Sequence, residues 1–415
     1  MNKQEAYKTV LAYSVAIRLN PNDAEAYYGR GLGYQYWGDY QSAIVDYTAA
    51  IRLNSDLVKA YTHRATAYIY LKEHQRAIAD LTAAIRLNPN DAGIYSNRGT
   101  SYNSLKEYNK AIADYTEAIR LSPETAELYT NRGNSYNNLR EYNKAIADID
   151  RAILLNPNDA KAYAVRGNTY YDLGEHQQAV AEYTISIRLN PNLAEAYYKR
   201  GDSYKYLKEY KKAIADYTAA IRLNPKDGRA YGYRGLSYDR LGEHQRAIAD
   251  YTKLIQLNPN DAKAYGYRGL SYHDLGEYTN AIFDYTKSIQ LDPNDVNVYG
   301  MRANSYYYLR KYQKTIVDYT EVIRRNPDIA EAYTYRGLCY GYLGQYQQSI
   351  ADLTEVIRLN PKDAVAYSNR GLSYKNIGEA TQAIRDLQQA ADLFVLQRNF
   401  GAHQKTLGLI KQLQQ

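Results

Sequence analysis

The sequence predicts an all-α protein made of tandem helical hairpins, and three observations predict it. The ten prolines stand at 21, 89, 123, 157, 191, 225, 259, 293, 327 and 361. Every gap is 34 residues except the first, which is twice that and has Ser55 in the vacant slot. A fixed period of this size marks a repeat array. Tyrosine supplies 50 residues against 3 Phe, 2 Met and 1 Trp, so one residue type carries nearly all the aromatic packing. Within each period, small and aromatic residues recur at offsets of three, four and seven, the stripe of an α-helix.

Counting each repeat from three residues after its proline gives eleven copies over 24–397, starting at 24, 58, 92, 126, 160, 194, 228, 262, 296, 330 and 364. Position 4 is always Tyr, from Tyr27 to Tyr367, and position 11 is always Tyr, from Tyr34 to Tyr374. Position 8 is Gly except at Ala65 and Ala303. Positions 4, 8 and 11 form one stripe, predicting a first helix, A. Positions 20, 24 and 27 form a second stripe on helix B, with Ala at 20 except Thr315 and Ser349 and Tyr, Leu or Ile at 24. A polar turn such as Leu241 to His244 separates them. Proline ends helix B by removing a backbone donor, and the recurring Asn-Pro-Asn-Asp caps the next helix A. A lone hairpin cannot bury both stripes, so neighbours must stack.

This pattern resembles the tetratricopeptide repeat: 34 residues, an aromatic at 4, a small residue at 8, Tyr at 11, Ala at 20 and Pro at 32. Tyr stands for the frequent Trp at 4 and Arg for the frequent Leu at 7, a Tyr-x-x-Arg-Gly subtype. The resemblance implies a right-handed superhelical solenoid with helix A lining the concave groove and helix B the convex face. It also implies a protein-interaction scaffold that binds a peptide or protein in the groove and needs no cofactor.

Both ends depart from the repeat. Residues 1–23 are expected to hold helix B of an incomplete leading repeat, with Val10, Tyr13 and Ile17 on a face that lacks its helix A. That face is expected to contact a second chain or upstream sequence. Residues 398–415 are expected to form a capping helix with Leu407, Ile410 and Leu413 on its apolar stripe.

Arginine at position 7, from Arg30 to Arg370, is matched by an acid at position 23 in all eleven copies, Glu182 among ten aspartates. Both positions flank the core stripes, so the expectation is a structural ion pair and not a phosphate-binding ladder. Catalysis is not expected. His74, His176 and His244 fill a turn slot at position 17, His63 and His273 lie six repeats apart, and the lone Cys339 sits at a small core position with no base nearby. No pair has metal-ligand spacing. One cysteine excludes an intrachain disulfide. With a mean hydropathy of −0.64 no stretch approaches the ~18 apolar residues of a span; a cytoplasmic location is expected from the lack of any signal. Net charge is +7, but the groove positions balance and the surplus is scattered at position 29 (Arg52, Arg86, Arg120, Arg188, Arg222, Arg324, Arg358). A continuous basic track for nucleic acid is missing. A polyanion binder using that face, or a regulatory arm of a larger enzyme, are the rival readings.

Twelve tyrosines beyond the framework all fall at positions 5, 6, 12 or 13 of helix A, which suggests a recognition face. The expected partner-binding groove comprises Tyr198, Tyr206, Gly232, Tyr233, Leu236, Gly266, Tyr267, Leu270, Gly300, Met301, Tyr307, Tyr308, Tyr335 and Tyr342. Glycine at position 5 of three successive copies would open a trough there. A second stretch, Asn97, Asn103, Asn131, Asn134, Asn137, Asn138 and Asn168, could bond an extended peptide backbone. It resembles in part the asparagine ladder of O-linked N-acetylglucosamine transferase, although only Asn97, Asn131 and Asn369 hold the ladder's position 6. The co-chaperone carboxylate clamp has no counterpart in any three successive repeats.

Overall fold

The computed structural model describes residues 3–415. It holds 24 α-helices and no strand among the described residues. Two compact units are present, Met1–Glu209 and Tyr210–Gln415. The division falls in the sixth repeat, whose helix A (Ala194–Tyr206) closes the first unit and whose helix B (Tyr210–Leu223) opens the second. Five complete hairpins stack in each unit, helix A against its own helix B and helix B against the next helix A. Repeat seven shows the pattern: Gly228–Arg240, a three-residue turn, then His244–Leu257.

The local signals act as their chemistry requires. Asp23, Asp91, Asp159, Asp227, Asp261, Asp295 and Asp363 cap helix A, each accepting from a backbone N–H of the first turn. Position 15 of the turn takes a left-handed backbone in every copy. Glycine fills it in six, while Lys72, Lys106, Arg140, Lys208 and Arg310 adopt it with φ of 56–63°, a strained choice for a side-chain-bearing residue.

Position 8 is small because helix B presses against it. A Cβ built on Gly235 would stand 2.9 Å from the ring of Tyr251, and one on Gly31 would stand 2.7 Å from Tyr47. The position-24 tyrosines Tyr47, Tyr115, Tyr183, Tyr217, Tyr251 and Tyr285 are the largest fully buried side chains. Several hydroxyls are satisfied by helix A of the same repeat: Tyr47 donates to Gln35, Tyr183 to Asn168 and Tyr251 to Asp239.

The repeated arginine makes a fork. In repeat seven Arg234 Nε and Nη2 donate to the two carboxylate oxygens of Asp250 at 2.8 and 2.7 Å. The same bidentate pair recurs at Arg30–Asp46, Arg64–Asp80, Arg98–Asp114, Arg132–Asp148, Arg268–Asp284, Arg302–Asp318, Arg336–Asp352 and Arg370–Asp386. The third guanidinium nitrogen donates to a threonine of the preceding helix B, Thr218 for Arg234 and Thr48 for Arg64. That threonine also donates to the carbonyl four residues back. Each arginine thereby ties three helices together, and the threonine at position 25, though periodic in the sequence, is a partner that the sequence reading missed. Repeat five differs: Arg166 splits between Asp150 and Glu182, leaving its Nε without a partner among the described residues. Burial holds the Glu182 carboxyl above its ordinary pKa, against the pull of Arg166.

The leading helix (Lys3–Leu19) corrects one expectation. Val10 and Ile17 are buried, not open, because they pack under the first helix A: Val10 Cγ2 lies 2.8 Å from a Cβ built on Gly33. The open side is Tyr7, Leu11 and Val15, with Tyr13 partly exposed. At the other end the last helix B (Ala380–Leu396) extends to 17 residues before the capping helix (Phe400–Leu413). Ile410 faces inward there, while Leu407 points out.

Candidate partner-binding face

Position 5 lies at the edge of the contact between helix A and its own helix B, so a glycine there removes a side chain from that margin. The three such glycines are not equivalent. A Cβ on Gly232 would meet Leu254 at 3.2 Å, and one on Gly228 would meet it at 2.8 Å. Leu254 replaces the usual Ala or Ser of position 27, and the two glycines make room for it. A Cβ on Gly266 would touch Ser288 at an ordinary 3.6 Å, and one on Gly300 would meet nothing. Packing explains the first glycine and not the other two.

Three cavities follow one another along these helices. The first, about 500 Å3, is lined by Gly232, Tyr233, Leu236 and Tyr267, with Leu254 and Leu257 beneath and Lys226, Arg229, Asp261 and Lys263 around the mouth. The second, about 210 Å3, lies between Gly266, Tyr267 and Leu270 on one side and Val298 and Met301 on the other. The third, about 220 Å3, is framed by Gly300, Met301 and Asn304, with Glu331 at its edge. Tyr267 and Lys263 serve the first and second cavities, and Met301 and Asn297 the second and third.

The tyrosine walls are held by stacking. Tyr233 lies on Tyr217, Tyr267 on Tyr251 and Tyr335 on Tyr319, with centroids 5.8–6.2 Å apart. Each pair joins position 24 of one repeat to position 6 of the next. Tyr267 nevertheless stays 46 % exposed. Further along, Tyr307 packs edge-on against Tyr308 and Tyr335 and lies near Tyr342. Tyr308 and Tyr342 each stack on a turn tyrosine of the preceding repeat, Tyr278 and Tyr312, at 5.0 and 4.9 Å. One face of each ring is therefore already covered. Tyr206 likewise stacks on His176 at 4.6 Å. Tyr198 does not belong with the exposed set: it is only 7 % exposed, so it supplies packing in place of the free surface expected of position 5.

The amides of repeats three to five are mostly engaged within the protein. Asn131 Oδ1 accepts from Lys161, Asn103 Oδ1 from Ser135, and Asn168 Oδ1 from Tyr183. Asn137 Nδ2 donates to Asp172, and Asn138 Nδ2 to the Asn134 carbonyl. Side-chain amides without a protein partner among the described residues are left at Asn97 and Asn134. Two histidines are similarly occupied, His244 with Asp239 and His273 with Ser305, whereas the buried Nδ1 atoms of His74 and His176 have no hydrogen-bond partner among the described residues. Burial pushes the Cys339 thiol up to about 12, so the thiolate is suppressed. Among the described residues no His, Cys, Asp and Glu group could hold a metal ion, and no helix is long and apolar enough to cross a membrane. Three of the position-29 arginines, Arg120, Arg324 and Arg358, pair with a glutamate one turn earlier, which thins the basic face further.

Fold and face together define a helical-repeat protein with an open, tyrosine-walled row of cavities on its helices A. Tetratricopeptide repeat models match the sequence at residues 24–57, 58–91, 126–159, 262–295 and 330–363. Further models of the same repeat match 99–139, 167–207, 198–262 and 301–340. The chain belongs to the tetratricopeptide repeat family. A tetratricopeptide repeat protein from Parabacteroides merdae is 23 % identical with a TM-score of 0.50, over 60 % of this chain and 98 % of its own. MamA is 29 % identical with a TM-score of 0.40, over 42 % of this chain and 96 % of its own. YrrB, described as a tetratricopeptide repeat protein with an unusual peptide-binding site, is 24 % identical with a TM-score of 0.41, over 44 % and 95 %. No curated protein matches the sequence.

Proposed function

We propose that this protein is a non-enzymatic interaction scaffold that binds a peptide or an extended segment of a partner protein along the helix A face of repeats seven to ten. The observation that carries this reading is the row of three adjoining cavities, floored by Leu254, Leu270 and Met301 and walled by Tyr233 and Tyr267. Recognition sites are concave and largely apolar with a few polar groups at the rim, and rigid tyrosine provides contact area at small entropic cost. Family membership points the same way. The amide stretch of repeats three to five is the lesser candidate, because most of its hydrogen-bonding capacity is used internally.

The test is affinity purification of partners by the intact chain, repeated with Tyr267→Ala and Gly266→Leu, and with Phe283→Ala on the opposite, helix B side. Phe283 is 69 % exposed and lines none of the three cavities. Partners lost with the first two variants and retained with the third support the reading. Partners retained by both cavity variants overturn it.

A further inference from the structure

Resting on that reading of the helix A face, we infer the chemistry of the occupant: an extended, polyproline-like segment with an apolar side chain at every third residue and carboxylates beside the first of them. The spacing comes from the helices. Gly228–Arg240, Ala262–Asp274 and Val296–Tyr308 touch one to the next, so their axes lie about 8–10 Å apart. The cavities fall between successive members of this series and into repeat ten, so they repeat at the same interval. A β-strand returns a side chain to one face every second residue, about 7 Å apart, and would fall out of step. A polyproline helix has three residues per turn and a 3.1 Å rise, returning a side chain to one face about every 9 Å. That matches the cavity period, and such a segment sacrifices little entropy on binding.

The polarity comes from the rim charges. Lys226, Arg229 and Lys263 surround the first cavity. Arg229 is held by Asp227, and Asp261 is the cap of its own helix. Lys226 and Lys263 make no ion pair with a described residue and are free to meet an anion. At the far cavity the charged group is Glu331, also without an ion pair among the described residues. The potential therefore runs from positive at the first cavity to negative at the third, and a segment with its acids at one end fits in one direction only. The sizes add a further constraint: about 500 Å3 at the first cavity and about 210 and 220 Å3 at the others place the bulkiest side chain next to the carboxylates.

The experiment measures fluorescence anisotropy of labelled synthetic peptides with the intact protein. The parent peptide is Asp-Phe-Glu-Pro-Leu-Pro-Pro-Leu-Ser, with apolar anchors at its second, fifth and eighth residues. The comparators are a peptide of equal composition with anchors at every second residue, one with Asn and Gln for the acids, and one with Ser for all three anchors. The parent is expected to bind, and each comparator to bind at least roughly tenfold more weakly, as loss of one buried side chain or of the rim attraction implies. Lys226→Glu combined with Lys263→Glu should abolish the preference for the acidic peptide over its amide version. Gly266→Leu, which fills the middle cavity without a clash at its Cβ, should weaken the parent while the fold, checked by circular dichroism, persists. Equal binding of the respaced peptide overturns the three-residue period, and equal binding of the amide peptide overturns the charge assignment. No binding of any peptide at millimolar concentration overturns the inference as a whole. In that last case, if purified partners still depend on Tyr267 and Gly266, the helix A face remains the binding face and only the occupant's chemistry is wrong.

Discussion

Repeats three to five and repeats seven to nine share one frame and use their helix A faces in opposite ways. Both keep the buried ring or aliphatic side chain at position 24 and, except in repeat five, the arginine fork at position 7. In the first stretch the outward positions carry amides that bond across to neighbouring helices, such as Asn131 to Lys161 and Asn137 to Asp172. In the second they carry glycine, leucine and tyrosine, which leave cavities between the helices. A repeat array can vary its face freely because the frame stabilises each hairpin through contacts the face does not touch. Polar substitutions at the face are consumed by the stack itself, whereas removing side chains leaves surface for another molecule.

The largest expected effect falls on the shared frame. Arg234→Ala in the cavity stretch and Arg132→Ala in the amide stretch each leave a buried aspartate, Asp250 or Asp148, without its fork. Both should destabilise their unit by up to about 3–5 kcal/mol, read as a fall in the thermal midpoint. A melt unchanged in either would mean that the arginines serve a ligand and not the frame.

Next comes Tyr267→Ala, which should cost about 2 kcal/mol or more of partner binding, as a central aromatic anchor does. Its stability effect should be smaller, about 0.5–1.5 kcal/mol, since the ring stacks on Tyr251. Calorimetric titration alongside a melt separates the two numbers; a melt that falls with no change in titration makes Tyr267 a packing residue only.

Asn168→Ala sharpens the contrast from the other side. It strips the buried Tyr183 hydroxyl of its acceptor, at a cost of about 1–2 kcal/mol, and should leave partner affinity untouched. Affinity lost with Asn168 would return the amide stretch to first place.

The smallest effects separate the glycines. Gly300→Ala should stabilise its helix by up to about 1 kcal/mol, because a Cβ there meets nothing. Gly232→Ala should gain less or lose, because Leu254 must give way. Equal gains at both positions would remove the packing reason offered for Gly232.

The sequence alone determined the architecture, since a 34-residue proline period with fixed Tyr, Gly, Ala and Arg offsets admits one arrangement of helices. The arginine–acid pairs were legible because two opposite charges with the same period must meet somewhere along the stack. Position 5 glycines and position 6 tyrosines could also be seen on one helix face, because that needs only the 3.6-residue turn. What lay across a helix–helix contact could not be read. Leu254 and Gly228 stand 26 residues apart and meet only because helix B of repeat seven leans on its own helix A. The stacking of Tyr308 on Tyr278 and the burial of Tyr198 are likewise settled by neighbouring side chains. A wheel drawn on one helix contains no neighbour. Periodicity places a residue on a face, and only the packed structure decides whether that face is covered, stacked or left open to a partner.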